Sequence, residues 1–476
     1  MTEPQPIAKQ ELFARLPTEW PDDPFPAIQA AVRASGAKVV VLDDDPTGTQ
    51  TVHGVPVLTE WPVAALRAEL ANELPACYLL TNSRSMTLDA ARKLNDTIGR
   101  NLATAAREAG RPFVVVSRSD STLRGHFPGE VESLVGALGQ QFDAWILAPY
   151  FLAGGRYTIG DVHYVAEGER LTPAGATEFA RDAAFGYRAS NLRAWVEEKS
   201  GGRIPAAAVA SISIDDIRRG GPERVTARLL ELPGGVCVVN AASDRDLAVF
   251  VQGLLAAEAR GRRYLYRTAA SFVAMRAGIA PRPLLTRADL QLLDAGGGLI
   301  VVGSYVPKSS GQVAALLERP GLAAVEIDVA ALLDEARQDG EVARAARQAD
   351  ALLSRNQEAV IYTSRRLIAG DDAASSLAIG RHVSDSLVAI VRAIEARPRY
   401  LLAKGGITSS DVATQGLAVK RALVLGQILP GVPVWQLGPE SRHPGVPYIV
   451  FPGNVGGQGA LAEIVEMLGR DAGRSE

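Results

Sequence analysis

Cysteine is nearly missing from this chain: Cys77 and Cys237 are the only two among 476 residues. Both sit in strand-like apolar stretches, "ACYLL" and "GVCVV", which points to buried free thiols in a reducing compartment rather than a disulfide. The five histidines (53, 126, 163, 382 and 443) show no metal-ligand spacing and no H-x-x-x-H, so no motif-based zinc site is encoded. The dipeptide GK never occurs, which excludes a Walker P-loop. A G-x-S-x-G nucleophile elbow is absent; "VVGSYVP" has the strand but not the elbow. No apolar run approaches the roughly 18–20 residues that cross a bilayer, and the acidic, proline-bearing N-terminus lacks the apolar core of a secretory signal. The net charge is only −3, with both signs interspersed, and there is no basic run or RNA-type aromatic motif. The expectation is a cytoplasmic protein with no nucleic-acid and no membrane partner.

What is present is the composition of a well-packed globule: 47% apolar and 22% charged residues in a chain long enough for two or three domains. Short β-branched runs such as "KVVVLD" (38–43), "ACYLLT" (76–81), "PFVVVS" (112–117), "DAWILA" (143–148), "GVCVVN" (235–240), "GGLIVVG" (297–303), "RYLLAK" (399–404) and "PYIVF" (447–451) alternate with helix-period segments, notably 87–110 and 374–396. This rhythm predicts an α/β fold of two domains, each a mainly parallel sheet flanked by helices. Prolines and a glycine run between 277 and 298 place the boundary there. The expected division is an N-terminal extension (1–35), a first domain (36–285) and a second domain (296–476). Residues 151–235 read as loop-rich.

Ligands of parallel α/β sheets bind at the carboxyl ends of strands, and four clusters fall at such ends. In "KVVVLDDDPTGTQ" the buried strand runs into Asp43, Asp44 and Asp45, where a carboxylate could take a proton from a hydroxyl or help hold Mg²⁺, or merely cap a solvated turn. The loop "SRSDSTLRG" gathers Arg118, Asp120, Ser121, Thr122 and Arg124, and "TNSRS" adds Arg84. Arginine forks match a carboxylate, the hydroxyls suit a polyol, and Asp120 between arginines should stay ionised. "LLAKGGITSSDVA" pairs a Gly-Gly turn with Thr408 and Asp411 at capping-box spacing, the start of a helix and a place for nucleotide phosphates. "VFPGNVGGQGALAEIVEML" offers Gly453, Gly456, Gly457 and Gly459 before an amphipathic helix, allowing close backbone approach to a ligand.

Taken in this order, the clusters resemble the four-carbon acid sugar kinase family, over nearly the whole chain from about residue 36. The likeness rests on D-D-x-T-G at Asp44–Gly48, D-S-T-x-R-G at Asp120–Gly125, G-R-x-T at Gly155–Thr158, the strand end Gly303-Ser304, "KGGIT" (404–408) and "PGNVGG" (452–457). Two features depart from the family pattern: Arg118-Ser119 stands where lysine is common, and Asp43 is an additional aspartate. The resemblance implies a sugar acid on the N-terminal domain, ATP on the C-terminal one, Mg²⁺ bridging the phosphates, and an active site in the interdomain cleft. The implied reaction is ATP-dependent phosphorylation of a hydroxyl on a threonate, an erythronate or an oxo-tetronate. Asp45 or Asp120 would orient and deprotonate the hydroxyl. Asp44, Arg84, Arg118, Ser121, Arg124 and Arg156 would bind the acid, with Arg124 foremost for its carboxylate. Ser304, Gly405, Gly406, Thr408, Gly453 and Asn454 would line the nucleotide site; no metal ligand is assigned. Two rivals are a nicotinamide-dependent sugar-acid dehydrogenase, for which no dinucleotide fingerprint is found, and a sugar-acid sensor without turnover. A homodimer is the expectation only from the prevalence of two-fold oligomers.

Overall fold

The computed structural model describes residues 4–303, 307–319, 322–364, 373–453 and 455–469. Two compact units emerge: unit 1 comprises 1–55 and 60–281, and unit 2 comprises 56–59 and 282–476.

Unit 1 is built on seven strands, β1 (Lys38–Asp43), β2 (Ala76–Leu80), β3 (Phe113–Arg118), β4 (Ala144–Ala148), β5 (Ala210–Ile212), β6 (Val236–Val239) and β7 (Tyr264–Thr268). They pair in the order β5-β6-β4-β7-β3-β1-β2, and every pair is parallel. Strands covered on both faces need apolar side chains throughout, and all six residues of β1 are buried. Helices make the crossovers. The helix Leu88–Ala109 opens at Thr87, whose side chain accepts from Ala90 N, and stops at Gly110, which takes the left-handed φ of 64° that glycine tolerates. The helix Asp244–Glu258 opens on a Ser243/Asp246 capping box and packs against Phe25–Ser35 and Gly221–Leu230. Cys77 and Cys237 are buried free thiols.

The stretch read as loop-rich holds a second sheet. Its antiparallel strands Arg156–Ile159, Val162–Glu167 and Arg170–Pro173 are joined at the edge by Ile7–Ala8. Gly160 and Asp161 both take positive φ (60° and 63°) between the first two strands, the geometry of a tight hairpin. Strands of four to six residues carry too little period-2 signal to stand out in sequence.

Unit 2 holds β8 (Leu299–Val302), β9 (Leu322–Ile327), β10 (Glu358–Thr363), β11 (Leu401–Lys404), β12 (Arg421–Leu429), β13 (Val432–Leu437) and β14 (Pro447–Phe451). The order is β12-β13-β14-β11-β8-β10-β9. The last five are mutually parallel, and β12 and β13 form an antiparallel hairpin on one side. Ile300, Leu316, Leu402, Val434, Ile449, Phe451 and Leu461 share one core. Four of these strands, β9, β10, β12 and β13, carry no signal in the sequence reading; β12 alternates buried and half-buried residues instead of forming an apolar run. Residues 56–59 also belong to this unit: Thr59 N donates to the Lys420 carbonyl at 3.1 Å and Thr59 Oγ1 to that of Val419. Among the described residues no helix is long and apolar enough to cross a membrane.

Ile146, fully buried on central strand β4, and Leu152, 42% exposed just beyond it, make a matched test. Ile146→Ala should cost about 2–5 kcal/mol and Leu152→Ala no more than about 0.5 kcal/mol, both read by urea unfolding; equal losses would refute the assigned core.

Candidate active site

Register brings the polar ends of unit 1's strands together. Asp43 lies opposite both Leu80 and Arg118, and Arg118 lies opposite Thr268, so the segments that follow β1, β2, β3 and β7 emerge side by side. The Asp43 carbonyl accepts from Thr81 N at 2.8 Å and Thr81 Oγ1 at 2.9 Å, tying the loop after β2 to the end of β1.

The three aspartates face different surroundings. Asp43 is buried and takes Arg118 Nη1 at 3.0 Å. Its carboxylate packs so closely on Gly48 that a Cβ there would fall 2.1 Å from Asp43 Oδ2, so any other residue would have to displace the Asp43 carboxylate. Asp44 is equally buried, 3.6 Å from Arg118 Nη1, yet among the described residues neither of its oxygens has a hydrogen-bond donor. Asp45 turns toward the surface. Its side chain caps the turn Pro46–Thr51 by accepting from Thr47 N at 2.8 Å and Thr47 Oγ1 at 2.5 Å, and it pairs with Arg84. Arg84 reaches on to Asp120 at 3.3 Å, and Asp120 also takes Arg124 Nε at 2.7 Å and the Thr122 hydroxyl. One guanidinium therefore joins the Asp45 loop to the Asp120 loop.

These contacts separate the carboxyl groups electrostatically. Burial pushes Asp43 up to about 7 despite the pull of Arg118. Burial likewise raises Asp44, against the attraction of Arg84, Arg118 and Arg267. For Asp45 and Asp120 burial also opposes ionisation, but it loses. Arg84 and the Thr47 donors hold Asp45 below the usual carboxylate range, and Arg84, Arg124 and Thr122 hold Asp120 far below it. Both are ionised at neutral pH and both keep some exposure, 18% and 12% of the side chain, the state a proton acceptor needs.

Beneath this rim lies a layer that local sequence signals did not reveal. Arg267 Nη1 donates to Ser117 Oγ at 2.7 Å and pairs with Glu130 at 3.2 Å, and Glu130 also accepts from Ser83. The antiparallel sheet grips the 120–125 loop from the other side. His163 Nε2 donates to the Ser121 carbonyl at 2.8 Å while its Nδ1 meets Thr158 Oγ1 at 3.0 Å, and Tyr187 OH donates to the Thr122 carbonyl at 2.7 Å. The Ser121 carbonyl, which only accepts, thus fixes the neutral tautomer with its proton on Nε2, and Thr158 of the G-R-x-T segment donates to Nδ1. Arg156 of the same segment and Arg124 both lie over the Phe179 ring, at 5.5 and 5.2 Å from its centroid. Arg118 is almost wholly buried under Asp43 and Asp44.

In unit 2, β11 ends at Lys404 and the backbone turns at Gly405 with φ 113°. The helix that follows, Gly406–Asp411, has Gly405 as N-cap and no side-chain cap. Thr408 lies inside it, and Asp411 accepts from Ser384 at 2.6 Å; the Thr408/Asp411 capping box is not formed, because the glycine turn places the N-cap at Gly405, three residues earlier. Thr408 Oγ1 instead closes against Gly303, where a Cβ would fall 2.4 Å from it. Lys404 is buried, its Nζ donating to the carbonyls of Pro452 (2.9 Å) and Gly453 (3.4 Å) and lying 4.0 Å over the Phe451 ring. Burial, aided by Lys308, lowers its pKa to about 7. The next turn is tied down by Gln312 Nε2, which donates to the Gly457 carbonyl at 2.8 Å. Gly405, Gly406, Thr408 and Gly453 therefore share one strand-end region. Ser304 and Asn454 lie outside the described residues.

Two family models match the chain in succession: the sugar-binding N-terminal domain over residues 39–276 and the nucleotide-binding C-terminal domain over residues 299–461. The chain belongs to the four-carbon acid sugar kinase family. Within this kinase family it is 27% identical over 447 residues to the D-threonate kinase of Salmonella typhimurium, covering 90% of this chain and 97% of that one. It is 25% identical over 456 residues to the D-erythronate kinase of Heliobacterium modesticaldum, covering 91% and 97%. Two solved structures share the fold. A Salmonella typhimurium LT2 protein described under a tRNA synthase label has a TM-score of 0.66 at 18% identity, covering 90% of this chain and 98% of that one. A Haemophilus influenzae protein has a TM-score of 0.61 at 17% identity, covering 90% and 100%.

In this kinase the clamp on the 120–125 loop gives a pH signature. Burial pulls His163 down to about 4, so between that value and its ordinary 6.5 the unfolded chain binds more protons than the folded one. The share of stability that His163 carries is therefore lost as pH falls through this window, by roughly 3 kcal/mol in full, while Asp43, raised to about 7, acts in the opposite sense. Going from pH 6.5 to 4, His163→Gln should lose less stability, by urea midpoint, than the wild type does; an identical pH dependence in the two proteins would show that His163 is not the group responsible.

Proposed function

We propose that this sugar-acid kinase is ATP-dependent and phosphorylates a hydroxyl of a four-carbon sugar acid such as a threonate, an erythronate or an oxo-tetronate. The observation that carries this reading is the pair of ionised, partly exposed carboxylates, Asp45 and Asp120, joined by Arg84 at the strand ends of unit 1. They lie within the residues matched by the sugar-binding model. The names of two relatives, D-threonate kinase and D-erythronate kinase, support the substrate class.

Phosphoryl transfer asks a protein mainly to position reactants and neutralise charge. In this reading Asp45 or Asp120 accepts the hydrogen bond of the attacking hydroxyl and takes its proton. Arg84, Arg124 and Arg156 bind the acid with the Ser121 region. The deeper pair Asp43–Arg118 and the donor-poor Asp44 set the field around them. Gly405, Gly406, Thr408 and Gly453, with Ser304 and Asn454, cradle the nucleotide, and the nucleotide-binding model over residues 299–461 supports this half. Lys404 contributes by holding the Pro452 and Gly453 carbonyls inward.

Among the described residues no group of three or more His, Cys, Asp or Glu could hold a metal ion, and Asp43, Asp45 and Asp120 are each engaged by arginine. These residues do not form a protein cage for Mg²⁺. They fit an ion carried mainly by the nucleotide phosphates, the usual habit of Mg²⁺.

An ADP-release screen over four-carbon and neighbouring sugar acids should find at least one acid-dependent signal with ATP–Mg²⁺, and ATP–Mg²⁺ should raise the melting temperature. Stabilisation by NAD(P) but not by ATP would reject the reading. Of Asp45→Asn and Asp120→Asn, the one that removes the base should lower kcat by about 10²–10⁴-fold while ATP still stabilises the protein. Full turnover in both variants would exclude both carboxylates.

A further inference from the structure

Five guanidinium groups serve the strand-end rim of unit 1, and four of them face carboxylates. Arg84 contacts Asp45 and Asp120, Arg118 contacts Asp43 and Asp44, Arg124 contacts Asp120 and Asp182, and Arg267 contacts Glu130. Arg156 is different. No carboxylate of the described residues lies within 4.0 Å of it. Its Nε is buried without an acceptor, and the side chain's one hydrogen bond among the described residues runs from Nη1 to the Gly154 carbonyl. A guanidinium half-withdrawn from water and lacking an anion is an unfavourable arrangement, and burial weakens its hold on the proton even with Asp120 nearby.

We infer that Arg156, stacked on Phe179, is the seat for the substrate's carboxylate and so sets the enzyme's preference for acids over neutral polyols. The proposal rests on the sugar-acid reading above and deepens it. Arg124, the foremost choice from sequence, is largely committed: its Nε lies 2.7 Å from Asp120 and its Nη1 3.6 Å from Asp182. Arg156 gives Nη1 to Gly154 and has Nε buried, but no acceptor among the described residues takes Nη2, so the outer end of the guanidinium can meet a carboxylate. It is only half-buried, so a ligand can reach it, and it begins a strand, Arg156–Ile159, which fixes its base. Phe179 lies under both guanidinium groups, at 5.5 Å from Arg156 and 5.2 Å from Arg124. A ring face attracts cations, so Phe179 holds two like charges near one another before any anion arrives. A carboxylate bound at the outer end of the guanidinium relieves that repulsion and gives Arg156 the anion it lacks among the described residues. The neighbouring acceptors Asp120 and Asp45 are then left for the hydroxyl end of the same small molecule.

The test is an NMR titration of the whole protein with D-threonate and D-erythronate, and with the matching neutral amides, which keep the shape and lose the charge. The wild type should bind at least one acid more tightly than its amide. Arg156→Gln should weaken that acid by about 10- to 100-fold, the range of a lost charge-assisted hydrogen-bond pair, and abolish the preference over the amide. Arg156→Lys, which keeps the charge but not the fork, should fall between. Phe179→Leu should weaken the acid by about 2- to 10-fold with the amide little changed, and it carries the test if Arg156→Gln does not fold. A preference for acid over amide that survives in Arg156→Gln, or equal effects of Phe179→Leu on both ligands, would overturn the assignment, as would a wild type that does not distinguish acid from amide. Arg156-dependent acid binding without any ADP release would instead preserve the seat and remove the kinase reading.

Discussion

The constraint on which this molecule depends is the cost of withdrawing adjacent carboxylates from water at the end of a buried strand. Asp43 and Asp44 are each almost fully buried, and each would resist ionisation strongly if left alone. The structure offsets this with arginines delivered from other strands rather than with neighbours in sequence. Arg118 comes from β3, Arg267 from β7 and Arg84 from the loop after β2. Because every cation arrives on a different element, the carboxylates act as the pins that keep these loops in register. The charged layer is therefore part of the fold before it is part of any chemistry.

Two oddities of the sequence turn out to be one. Asp43 and Arg118, two features singled out in the sequence, are direct partners, opposite each other on neighbouring strands at 3.0 Å. An unaccompanied change at either position would leave a buried charge without compensation. Their joint presence is self-consistent, and Arg118 forms a floor beneath Asp43 and Asp44. Around this floor the antiparallel sheet works as a brace: His163 and Tyr187 take hold of consecutive carbonyls, Ser121 and Thr122, so Asp120 is positioned by backbone as well as by arginine.

Much of this was legible in the sequence where the signal is local. Continuous apolar strands such as β1 and β3, the Asp-Asp-Pro-Thr-Gly turn, the Asp120–Gly125 loop and the Gly405–Gly406 turn all announce themselves over a few residues. The alternation of strand and helix conveys parallel sheets because a parallel strand needs a crossover. What stayed hidden is long-range or weakly periodic. Arg118 and Asp43 are 75 residues apart and Arg267 and Glu130 are 137 apart, and only the register of the sheet joins them. Glu130 looks like any acid in a first helical turn. The short strands of the second sheet, and β12 with its half-buried alternation, lack the apolar runs that mark the central strands. The Thr408/Asp411 spacing misled because glycine had already begun the helix.

Residues 56–59 carry a final consequence. They come from the early part of the chain yet complete unit 2, through the bonds from Thr59 to Lys420 and Val419. A gene cut near residue 282 does not separate two self-sufficient products. The downstream piece would lack donors for two peptide oxygens and be prone to self-association through that raw margin, while the upstream piece would carry an orphan loop. Expressed apart, the downstream half would lack the 56–59 segment that groups with it unless that segment were grafted back.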